Sequence, residues 1–102
     1  MFDILIRHGL IIDGTGNPGF FGTIGIQNDV MTVFRGDTSQ ITTKHTLDAS
    51  AKVVCPGFID VHAHSALVIL DQPAHKPKVH QGITTELIGV DGNSYAPCLL
   101  YT

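Results

Sequence analysis

The residues with the most chemical potential lie in one short run, Pro56-Gly57-Phe58-Ile59-Asp60-Val61-His62-Ala63-His64, which ends in two histidines one position apart. In an extended strand, successive side chains point to opposite faces. His62 and His64 would then share a face with Phe58 and Asp60, leaving Ile59, Val61 and Ala63 to pack the other way. Two imidazoles on one face can hold a single metal ion, and zinc takes a His nitrogen at about 2.0–2.1 Å. The tip of a strand fixes such a pair better than a loop does. The competing reading is of two polar residues that merely close a strand. The Pro-Gly entry, the apolar strand and Asp60 below the histidines favour the metal.

A second strand must bring any further ligand. Ile83-Thr84-Thr85-Glu86-Leu87-Ile88-Gly89-Val90 is rich in β-branched residues and ends at Asp91. Between the two runs, Ser65 to Asp71 reads as a linking segment with an apolar patch. A short helix is expected from Pro77, where a missing N–H costs nothing, to Gly82, a residue suited to the position just past a helix end. Pro73 and Pro77 forbid anything longer before Lys78. The order strand, helix, strand is the start of a β/α repeat. Parallel neighbours would bring Asp91 to the same rim as His62 and His64. A carboxylate beside two imidazoles is a plausible ligand set for a hard metal; the alternative for Asp91-Gly92-Asn93 is an ordinary turn.

The first half reads as β structure. Phe2–Arg7 and Leu10–Ile12 are strand candidates split at His8-Gly9, followed by Phe20–Ile26, Val30–Phe34, His45–Ala49 and Lys52–Cys55. Several short strands with turns between them suggest a sandwich or barrel piece. His8, His45 and Asp48 have no ligand-like neighbours in sequence and read as surface or strand-edge residues. Gly14-Thr15-Gly16-Asn17-Pro18-Gly19 matches G-x-G-x-x-G, but a dinucleotide site needs that motif to open a helix. Here it runs into the alternating pattern of Phe20–Ile26, so it is a glycine-rich turn.

Composition sets the bounds. The 102 residues suit one small domain; 43% are apolar and 15% charged, with net charge −3. No basic stripe exists to neutralise phosphates, so nucleic acid is not an expected partner. Met1 is not followed by a charged region and an apolar core of the signal-peptide kind. No apolar run approaches the roughly 20 residues of a membrane span. Two cysteines, Cys55 and Cys98, make no disulfide framework, and a cytoplasmic setting is the expectation.

The blocks Asp13-Gly14-Thr15-Gly16-Asn17-Pro18-Gly19-Phe20, Val54–His64, His80-Gln81-Gly82-Ile83-Thr84-Thr85-Glu86 and Ile88–Pro97 together resemble the N-terminal part of the amidohydrolase superfamily, in its N-acyl-D-amino-acid deacylase (D-aminoacylase) branch. The resemblance implies an α/β fold: residues 1–54 as the N-terminal share of a small β-sandwich, and residues 55–102 as the first strand-helix-strand of a metal-dependent (β/α)8 barrel. It implies a divalent metal, most simply zinc, held by His62 and His64. Asp91 falls where many members of the branch carry a ligating cysteine in Gly-Asn-Cys-Gly, and this chain departs there with Gly89-Val90-Asp91-Gly92. Asp60 would orient a histidine from one layer deeper, or serve only the strand entry. Ser94 and Tyr95 would line a substrate mouth, or form an ordinary loop. A full barrel takes about 250 residues, so the chain reads as an N-terminal fragment, inactive alone. The activity implied for the parent is hydrolysis of an amide bond of a small N-acyl-D-amino acid by metal-activated water. Two other readings are a β-rich binding module with an incidental H-x-H, and a non-catalytic truncation with open strand edges.

Overall fold

In the computed structural model, which describes residues 1–65 and 67–92, the chain divides into two units, Met1–Pro56 and Gly57–Thr102. The first is built on β1 (Phe2–Ile11), flanked by β2 (Phe20–Gln27) on one side and by β4 (Thr43–Asp48) and β5 (Val53–Val54) on the other. β3 (Val30–Phe34) extends the sheet beyond β2, so five strands form a single sheet. β1 runs antiparallel to β2 and parallel to β4 and β5.

β1 is one strand, where two were expected. His8 takes a positive φ of 65°, and the register against β2 shifts between Ile6 and Gly9. This is a β-bulge, which absorbs an extra residue without ending the ladder. The alternating apolar pattern puts Leu5, Ile11 and Ile24 inside, with Leu5 fully buried. Gly25 is needed for room: a Cβ there would meet the Phe2 ring at 2.7 Å. With that space, Phe2 packs edge-on against Phe34 at 5.6 Å between ring centroids. Arg7 reaches across to the loop after β3, donating to Thr38 Oγ1 and O at 2.9 Å and to Ile41 O at 3.3 Å. The Gly14–Gly19 turn leads into β2 and opens no helix.

The second unit holds a two-stranded parallel sheet, β6 (Phe58–Asp60) and β7 (Ile83–Glu86), paired Phe58↔Ile83, Ile59↔Thr85 and Asp60↔Glu86. Two short helices connect them: α1 (Val68–Asp71) and α2 (Lys76–Val79). α1 corrects the expected link. Ser65 O accepts from the N–H groups of Val68 and Ile69 and starts the turn there, and Pro73 then stops it. α2 carries Pro77 in its first turn, and Gly82 follows it at φ +79°, which a Cβ would strain. No helix among the described residues is long and apolar enough to cross a membrane.

Candidate metal centre

β6 ends at Asp60, so His62 and His64 lie beyond the strand and not on it. The cause is local. Asp60 Oδ1 accepts the main-chain N–H of His62 at 3.1 Å, an aspartate turn that competes with the ladder. Main-chain contact with the neighbouring segment persists, with Leu87 N donating to Asp60 O at 2.8 Å and Ala63 N donating to Leu87 O at 3.1 Å. β7 likewise stops at Glu86, short of the expected Val90. The chain then turns at Gly89, φ +86°, into a 3-10 turn Val90–Gly92 in which Asp91 is left-handed at φ 55°. Aspartate tolerates that conformation better than most residues.

Both departures still deliver the side chains to one place. His62 Nε2 lies 3.0 Å and His64 Nε2 3.3 Å from Asp91 Oδ2, and the two imidazole nitrogens are 3.2 Å apart. The rings stand 5.1 Å apart and tilted by 57°, so they converge at their Nε2 atoms. All three side chains are exposed.

Donors each about 2.0–2.2 Å from one tetrahedral zinc ion are themselves about 3.3–3.6 Å apart. The three spacings here, 3.0, 3.2 and 3.3 Å, lie at or within about 0.3 Å of the short end of that range, so small side-chain rotations would seat the donors. Two imidazole nitrogens and one carboxylate oxygen are a donor set that zinc accepts, with room left for a further ligand. The residues present therefore fit a divalent ion.

Asp60 makes its hydrogen bonds to the His62 main-chain N–H and to Lys78, not to an imidazole. Its second oxygen accepts from the Lys78 ammonium, and that bond, with the His62 N–H, holds its carboxyl below the usual range. Lys78 also bonds Glu86 Oε1 at 3.1 Å. Glu86 in turn accepts the Ser65 hydroxyl and lies 3.2 Å from His75 Nε2. The Ser65 bond is the first cause of its lowered pKa, with Lys78 and His75 adding to it. The two carboxylates hold Lys78 protonated above its ordinary value.

Sequence reasoning missed Lys78, Glu86, Ser65 and His75 as a group. The one available signal was a lone acid, Glu86, inside the β-branched run that starts at Ile83. His8 and Asp48, read as surface residues, are exposed but paired at 3.1 Å. Ser94, Tyr95 and Cys98 lie outside the described residues.

No family model matches the chain. Two curated proteins of Alcaligenes xylosoxydans xylosoxydans, an N-acyl-D-glutamate deacylase and a D-aminoacylase, are each 38% identical to it, across 96% and 94% of its length. A solved D-aminoacylase with a binuclear metal centre superposes with a TM-score of 0.80 at 38% identity, covering 87% of this chain and 19% of that one. The N-acyl-D-glutamate deacylase of Bordetella bronchiseptica, solved with zinc and a phosphonate mimic of the tetrahedral intermediate, gives 0.77 at 40% identity, covering 83% and 18%. The chain belongs to the amidohydrolases, in the D-aminoacylase branch. It spans about a fifth of the length of the curated D-aminoacylase and N-acyl-D-glutamate deacylase.

Proposed function

We propose that this chain is the opening part of a metal-dependent amidohydrolase that hydrolyses the amide bond of small N-acyl-D-amino acids. The observation that carries the reading is the convergence of His62 Nε2, His64 Nε2 and Asp91 Oδ2 within 3.3 Å of one another. These three residues would hold a divalent ion, zinc being the simplest. When bound, such an ion supplies Lewis acidity, polarising the amide carbonyl and acidifying water. Asp91 offers oxygen where many members of the branch offer a thiolate, which makes the site harder and less selective for soft metals.

Residues 1–54 would be the first share of the β-sandwich, and residues 55–102 the first β/α repeat of the barrel. Parallel sheets are normally covered on both faces. Phe58 and Ile59 on β6 are 58% and 65% exposed, which supports further barrel elements over them in the whole enzyme. The general acid/base would be an aspartate from a further part of the barrel in the whole enzyme. The partner is then a small amide substrate and the compartment the cytoplasm. The test is amidase turnover of the intact enzyme on N-acyl-D-amino acids. His64→Ala is expected to remove nearly all activity, and turnover at the wild-type rate would refute the assignment.

A further inference from the structure

The H-x-H turn is tied down at both ends by one ion pair. Asp60 stands two residues before His62, and Ser65 directly follows His64. Asp60 accepts from Lys78, Ser65 donates to Glu86, and Lys78 and Glu86 bond each other at 3.1 Å. Lys78 comes from α2 and Glu86 from the end of β7. Both side chains are largely withdrawn from solvent, 26% and 13% exposed, so their attraction is screened less than that of a surface pair. Asp60 passes the constraint to the backbone of His62 through its other oxygen. The turn itself has little else to hold it. Of its residues only Ala63 is buried, and Val61 is 67% exposed.

We infer that Lys78 and Glu86 are positioning residues for the metal ligands. They fix the backbone from Asp60 to Ser65 so that the two imidazoles arrive already converged on Asp91. This rests on the proposed metal site, and it adds a role for two residues that touch neither metal nor substrate. Partners that orient ligands from behind typically set 10–100-fold of metal affinity, by holding donor geometry before the ion arrives.

The test uses this chain with Lys78→Met, Glu86→Gln and the conservative Lys78→Arg, and it has two arms. In the metal-free arm, amide exchange of the His62 N–H is followed by NMR. It should quicken about tenfold in Lys78→Met and Glu86→Gln, the order expected for loss of one hydrogen bond, and return toward wild type in Lys78→Arg. Exchange at Phe58, whose N–H bonds Gly82 O at 2.8 Å within the same unit, should stay unchanged, which excludes unfolding of that unit. In the second arm cobalt(II) is titrated alone. Lys78→Met should bind it about 10–100-fold more weakly and show an altered visible spectrum, again rescued by Lys78→Arg. Wild-type exchange at His62 together with a wild-type cobalt spectrum in Lys78→Met would overturn the inference. If wild-type chain and His64→Ala bind cobalt equally, the metal site itself is wrong. The exchange arm then still decides whether the ion pair anchors the turn.

Discussion

Each of the two units of this chain is stabilised within itself by a different force. Met1–Pro56 has an apolar interior: Leu5, Ile11, Ile24 and Ala49 are buried between a central strand and its neighbours. In the unit that starts at Gly57, Ala63 is the one buried apolar residue among those described, and neither helix buries a residue. Its polar links instead gather on Lys78 and Glu86. One unit is therefore a scaffold stabilised by burial. The other buries little and is linked by a charge network, with Phe58 and Ile59 among its exposed apolar side chains. The proposed ligand geometry in the second unit would rest on these few bonds.

Core truncation should expose the difference most strongly. Leu5→Ala is expected to cost the first unit about 2–5 kcal/mol, the usual range for a fully buried leucine. Chemical denaturation followed by exchange at β1 amides measures it. The cost should not depend on salt, because no charge is involved.

Acid should act on the other unit first. Asp60 and Glu86 are both held below their ordinary values, Asp60 chiefly by Lys78 and Glu86 chiefly by Ser65. A depressed carboxyl contributes stability that is fully present above its unfolded value and is lost as pH falls through the folded one. Lys78, raised above 10.5, contributes below that value and loses its contribution as pH rises through the folded one. The network is thus intact between about pH 4.5 and 10.5. Below about pH 4, amides of β6 and β7 should lose protection before those of β1 and β2. The first unit has depressed carboxyls as well, Asp48 reaching about 2 through Ser50 and His8. Those lie on its surface, away from the apolar interior. Simultaneous opening of both units on acid titration would erase the contrast.

What could be read from sequence divides along the same line. Apolar runs bounded by turn residues marked all five strands of the first sheet, β1 as two pieces, because such patterns are local signals. The bulge at His8 was hidden, since nothing in His8-Gly9 distinguishes a ladder irregularity from a break. The pairing of His8 with Asp48 was equally hidden, as it follows from the parallel register Arg7↔Asp48. In the second unit, the spacing of His62 and His64 and the acid at Asp91 pointed to their meeting, but by the wrong path. Strand alternation was expected to align them. An aspartate side chain bends the backbone instead, and left-handed Asp91 closes the approach. The Lys78–Glu86 pair is set by side-chain reach between α2 and β7, which no periodicity encodes.

The central claim is that His62, His64 and Asp91 hold an ion together, and zinc retained after exhaustive dialysis tests it directly. The wild-type chain is expected to keep zinc, and the His62→Ala/His64→Ala double variant to lose nearly all of it. Equal zinc in the two would contradict the ligand assignment.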